Sequence, residues 1–236
     1  MKRLLSTAGL LLVLATLWSM AGCKKDYFVD GGLAEAHFDG SIYAYLEAKP
    51  YWFDTVTYII ERAGMKNRME TGEITFFSPT DDAVKVVMDD LNAYRYTNVE
   101  DSVHLEDIDP VVWRYFLSMY ILQGKFMAKD FARVDPTHST AYPGIDYITS
   151  EGFVVNIGLL YNDYKGVKSV GARIIRLTDI TEDPDHFQNN PAVTVMSSDI
   201  QPTNGILHVL NNNNVLGFQS GRFVQMAEQY LLLSGK

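Results

Sequence analysis

Cys23 is the only cysteine of the chain, so no internal disulfide can form and any stable structure must rest on a buried core. The length permits this. Beyond the leader, about 200 residues can bury roughly 70 per cent of the surface that the unfolded chain exposes, enough for one domain or two small ones. The cysteine also closes a run, Leu17-Trp18-Ser19-Met20-Ala21-Gly22-Cys23, ahead of the paired Lys24 and Lys25. Lys2 and Arg3 supply a positive start, Leu4 to Gly22 is uncharged, and Ala21 and Gly22 are small, which is the order of an export signal. The uncharged stretch is long enough to cross a membrane. A retained span, however, would place Lys24 and Lys25 on the outer side, against the positive-inside tendency.

The run ending at Cys23 resembles a bacterial lipoprotein signal. That resemblance implies removal of residues 1–22, acylation of the Cys23 sulfur with fatty chains such as palmitate, and stable anchorage through more than one chain. It also implies a place in the cell envelope, as an outer-membrane lipoprotein exposed at the cell surface. Residues 23–36 carry Gly31-Gly32 and mixed charges and read as a tether, leaving 37–236 as a single folded domain. The whole chain has a formal net charge of -9. Residues 1–22 hold two basic and no acidic side chains, so residues 23–236 hold 18 basic against 29 acidic, a net of -11. Such acidity argues against nucleic acid and anionic lipid headgroups as partners, because both are bound through basic patches.

From Ser41 to Ala63 the pattern is helical, interrupted at Pro50, and Gly64 suits a C-terminal stop. Ile74 to Phe77 reads as a strand that hands over to a helix from Asp81 to Leu91, with Thr80 or Ser78 as its cap and Asp81 and Asp82 at the positive end of its dipole. Asp109-Pro110 repeats that device ahead of an aromatic helix through Val112, Trp113, Phe116, Leu117, Tyr120 and Ile121. After Pro136 the texture becomes β-prone, over Ile145–Thr149, Phe153–Ile157, Lys168–Leu177, Ala192–Met196, Gly205–Leu210 and Val215–Phe218. Arg222 to Leu233 reads as a closing helix.

Thr75-Phe76-Phe77-Ser78-Pro79-Thr80-Asp81-Asp82-Ala83-Val84 resembles the first signature of fasciclin-like domains. Asp199 to Leu210, with Asn204-Gly205 leading into a strand that carries His208, resembles the second, and Phe116 to Phe126 resembles a segment between them. The resemblance covers residues 38 to about 218, with extra sequence around Asn92–Asp109 and Asp135–Asn190. It implies an α+β fold, a wedge of two short β-sheets with helices packed along one side. Thr75, Phe77, Pro79, Thr80, Asp81, Asn204, Gly205 and His208 are then structural: helix entry, tight turn and strand. Met119-Tyr120 departs from the family's Tyr-His pair, linked to adhesion in animal members, so that site is not carried over. Asn211 to Asn214 reads as a lengthened hairpin turn before Val215-Leu216.

Chemistry-bearing candidates are sparse. His208 alternates with Leu207 and Val209 and reads as a buried structural histidine, and His37, His104, His138 and His186 are scattered singly, so no metal is assigned. Five carboxylates between Glu100 and Asp109 lack the spacing and glycine of a calcium loop, and Asp183 and Asp185 flank Pro184 in a loop. Gly217 to Gly221 has the wrong spacing for a nucleophile elbow, and no phosphate-cradling loop is present. Tyr43, Tyr45, Tyr51 and Trp52 crowd a short stretch, and Tyr43 and Tyr45 cannot share one helical face, so they are candidate ligand-contact aromatics. The resemblance implies a lipid-anchored, non-enzymatic binding or adhesion module without a cofactor. Its partners are the membrane, through the N-terminal lipid, and a protein or extracellular glycan. The alternative is a glycan- or peptide-capture accessory lipoprotein of an outer-membrane nutrient-uptake system.

Overall fold

The computed structural model describes residues 37–183 and 189–235. The leader, Cys23 and the tether through residue 36 lie outside the described residues, as do Pro184, Asp185 and His186. The first helices keep to the sequence signals closely. Ser41 Oγ accepts the Ala44 N–H at 3.1 Å and opens α1, Ile42–Glu47. Pro50 starts α2, Pro50–Arg62, which ends before Gly64 in the left-handed region. A short α3, Lys66–Thr71, buries only Met69 and has no apolar stripe that would announce it. All five residues of β1, Ile74–Ser78, are buried.

Thr80 occupies the N-cap position of α4, Asp81–Thr97, but neither expected hydroxyl caps that helix. Thr80 Oγ1 is buried without a partner, and Ser78 Oγ donates to the Pro79 carbonyl at 2.9 Å because Ser78 is still held in β1. Asp81 turns instead to α2, where its carboxylate accepts the Val56 N–H at 2.9 Å. The helix runs past Leu91 to Thr97 because Arg95, on its last turn, is drawn inward to Glu228. Asp109 caps α5, Pro110–Ser118, by accepting the Val111 N–H at 2.8 Å. That helix stops before Tyr120, and β2, Ile121–Gln123, comes next.

The remaining strands are β3, Ile145–Ile148; β4, Val154–Tyr161; β5, Arg173–Asp179; β6, Ala192–Ile200; and β7, Gly205–Leu210. Together they form one seven-stranded sheet in the order β2-β1-β7-β6-β5-β4-β3. Only β1 and β7 are parallel. The two short sheets expected from the resemblance are therefore joined, and β6 is the joint. Its first residues, Ala192 to Thr194, pair with β5, whereas Val195, Ser197 and Ile200 pair with β7 across two register shifts. Such bulges bend a strand, and Asp199 in the second one has φ +62°. The curvature brings the ends of the order together: the Ser150 N–H, just beyond β3, donates to Ile121 O in β2 at 3.0 Å.

Helices α2, α4, α5 and α6 (Ser220–Ser234) pack along one side. Phe223 of α6 meets Trp113 and Phe116 of α5, each at 5.3 Å between ring centroids, and Tyr115 of α5 stands edge-on to Phe153 beside β4 at 4.7 Å. Helices and sheet thus share one core. Val215–Phe218, expected as a strand, is a loop. The Tyr120 hydroxyl accepts N–H groups from Gly217 at 2.8 Å and Phe218 at 3.3 Å, so these amides are satisfied away from any strand partner. Asn211–Asn214 consequently is not a hairpin tip but the start of the connection from β7 to α6.

Candidate functional site

The eight signature residues build the scaffold. Asn204 is a three-way clamp: its Oδ1 accepts the Ile42 N–H at 2.8 Å, and its Nδ2 donates to Met69 O at 3.0 Å and Gly72 O at 2.9 Å. The turn thereby ties the start of α1 to the end of α3. Gly205 must be glycine because a Cβ there would lie 2.2 Å from the Ile74 carbonyl of β1. Thr75 Oγ1 donates to Gly124 O and accepts the Phe126 N–H, both at 2.8 Å. His208 holds the same segment from the other side, with Nε2–H donating to Phe126 O at 3.0 Å and Nδ1 accepting the Asp199 N–H at 3.2 Å. These partners fix a neutral ring, which stacks on Phe77 at 5.0 Å. Complete burial lowers the His208 pKa below the ordinary histidine value. Pro79 and Thr80 are buried at the β1–α4 junction, and Asp81 bridges to α2.

Two of the four candidate aromatics are corrected by their burial. Tyr45 is enclosed between Phe38 and Phe53. Tyr43 is buried, with its hydroxyl donating to Glu61 at 2.9 Å and Lys66 over its ring, and burial together with that hydrogen bond pushes its pKa up to about 12. They lie on different faces of α1, and because both faces are covered neither ring is open to a ligand. Tyr51 is 85% exposed and meets the half-buried Trp52 edge-on at 5.2 Å. The acidic stretch is also structurally occupied. Glu100 pairs with Arg95, the Asp101 carbonyl accepts from Arg95 Nε, and the Asp107 carboxylate accepts the His104 N–H. Among the described residues, no group of three or more His, Cys, Asp or Glu side chains is placed to hold a metal ion.

A different site lies in the extra sequence between Asp135 and Asn190. Arg133 and Val134 run alongside β4, with the Val134 N–H donating to Leu159 O at 3.0 Å. Gly158 permits this approach, since a Cβ there would sit 2.6 Å from Val134 Cβ. Beside this contact is a depression of about 550 Å³ lined by residues from the Arg133 segment, the end of β4 and the β4–β5 connection. The Arg133 guanidinium lies 3.7 Å from the Tyr142 ring centroid and 5.0 Å from that of Tyr161. Arg173 of β5 lies 4.5 Å from the same Tyr161 ring. Arg133 Nη2 also donates to Ser169 Oγ at 3.1 Å and stands 3.6 Å from Asp135.

The acidic members of the lining are oriented too. Asp135 accepts from both the hydroxyl and the N–H of Thr137, and chiefly the hydroxyl bond holds its pKa below the ordinary carboxylate value. Asp163 accepts the Ser169 N–H at 2.8 Å. Lys165 and Ser169 have φ of +49° and +59°, a conformation costly for residues with a Cβ and often retained where a site requires it. The arrangement offers fixed cationic donors beside fixed carboxylate acceptors, a combination that holds polar ligands by directed hydrogen bonds. Sequence reasoning missed it because its members are distant in the chain. The usable signal was local charge: Lys165, Lys168, Arg173 and Arg176 with Tyr161 and Tyr164, in a chain whose net charge is -9.

The Fasciclin domain model matches residues 52–215. Among solved structures the chain is similar to a FAS1 domain pair from the insect cell adhesion molecule Fasciclin I, with 14% identity and a TM-score of 0.46. That likeness covers 72% of this chain and 49% of the other, so this chain spans about half the length of the structure it matches. No curated protein matches it. With more than half of its residues inside the family model, the chain belongs to the fasciclin domain family.

Proposed function

We propose that this protein is a non-enzymatic binding or adhesion module of the cell envelope, anchored by lipid on Cys23 and presenting its fasciclin domain to a protein or glycan. The observation that carries the binding part is the depression at Arg133, Tyr142 and Tyr161, where donors and acceptors are held in place by neighbours on the surface of the domain. The anchoring part rests on the run from Leu17 to Cys23.

Fractionation of expressing cells tests the anchor. The Cys23→Ser variant is expected to leave the membrane fraction or to accumulate with its leader uncleaved. Membrane association equal to wild type, with the leader removed, overturns lipid attachment. Retention of a crosslinked envelope partner by the wild-type protein, unchanged by chelator, is the expected binding result. Turnover of a tested glycan or peptide overturns the non-enzymatic reading.

A further inference from the structure

We infer that the depression at Arg133 is a binding site for an acidic saccharide, a sugar chain that carries carboxylates among its hydroxyls. The inference rests on the binding reading above and adds the chemical class of the ligand. Three features select that class. First, Arg133 of the lining is placed against Tyr142 and Tyr161, so its guanidinium is held by aromatic rings rather than moving freely. A preorganised fork matches a planar carboxylate and loses little freedom on binding it. Secondly, Asp135 and Asp163 stand in the same lining. They accept hydrogen bonds from sugar hydroxyls but repel a dense polyanion such as a nucleic acid or a phosphorylated surface.

Thirdly, the β4–β5 connection concentrates Lys165 and Lys168 beside Tyr164, with Lys168 in the lining itself. Both lysines are exposed, on a protein that is otherwise strongly acidic. A local basic rim around a mixed site draws in a ligand of moderate negative charge and orients it. An acidic peptide would use the same cations. It would bring no hydroxyls to Asp163, whose one hydrogen bond here is from the Ser169 N–H, and a site built to hydrogen-bond a hydroxyl discriminates against ligands that lack one.

The test is titration of the full-length protein in detergent with tetragalacturonate and tetramannuronate, their methyl esters, and hexaglutamate. At least one tetrauronate should bind at low salt, more weakly as salt rises, and its methyl ester should bind about tenfold or more weakly. Arg133→Gln should weaken binding by about tenfold. Because Arg133 is packed, the exposed Lys168→Gln serves as the second variant, with an unchanged melting temperature and a loss of about threefold. Binding of neither uronate overturns the proposal, as do equal affinity for ester and acid, equal binding by both variants, or hexaglutamate binding as tightly as the saccharide. Membrane fractionation of Cys23→Ser and capture of an envelope partner read the broader function independently, so a negative titration with those intact removes only the saccharide assignment.

Discussion

His208 shows how a single polar side chain, fully buried, ties separate elements together. From β7, its two nitrogens satisfy the Asp199 N–H at the β6 bulge and Phe126 O in the segment after β2, three regions that the chain must bring together. His208→Ala leaves both groups buried and unpaired, and the expected cost is about 1–3 kcal/mol by urea denaturation. Burial depresses the folded pKa, so the unfolded state binds the proton more readily. The stabilisation is therefore complete above the unfolded value of about 6.5 and is lost as pH falls through the lower folded value. Melting scans below neutrality should show wild type losing part of its advantage over His208→Ala; an advantage that stays constant or grows on acidification contradicts a buried neutral ring. The burial of this residue was readable from its alternation with Leu207 and Val209. Arg133 was not readable in the same way, because its ring partners Tyr142 and Tyr161 are set by a crossing that no local pattern records.

Between elements, the α4–α6 contact depends on a buried ion pair. Arg95 Nη1 reaches both carboxylate oxygens of Glu228, at 3.1 and 3.2 Å, while its Nε donates to Asp101 O. Both side chains are nearly excluded from water. Removing one partner strands a charge, so Arg95→Met is expected to cost about 3–5 kcal/mol, whereas Arg95→Met with Glu228→Leu should recover most of it. A double-mutant cycle by chemical denaturation decides this: a single-variant loss below about 1 kcal/mol, typical of exposed pairs, would place the contact in solvent. The pair also explains why α4 was legible only as far as Leu91. Its last turn is stabilised by a residue far away in the chain, and local apolar spacing had already ended. β6 failed to be legible as a joint for a related reason, since register shifts are chosen by two neighbouring strands at once. Val215–Phe218 has strand-like composition, but the Leu216 N–H donates to Ala83 O and the buried Tyr120 hydroxyl takes the Gly217 and Phe218 amides.

At the scale of the whole molecule, the helix layer and the curved sheet have no separate interiors. Tyr115 and Phe153 join α5 to the segment before β4, Phe223 fills the space between α5 and α6, and Ile42 of α1 lies against Gly205 of β7. Proline-led helix starts, the Asn-Gly turn and the apolar strands made this architecture legible in the sequence, because each is a local device with one geometry. The insertion that carries the depression was legible as β-prone runs but not as a site, since Arg133 comes to Tyr142 and Tyr161 only through the pairing of its segment with β4. A shared core makes unfolding cooperative. Trp113, fully buried in α5, reports on the helix layer through its fluorescence, while far-ultraviolet circular dichroism reports on helices and strands together. Urea titrations monitored by the two signals should therefore give one coincident transition. With Cys23 the only cysteine, reductant should leave the midpoint unchanged. A fluorescence transition that precedes the dichroism change would mean that the helices detach while the sheet persists, and the shared core would then not be what holds the domain together.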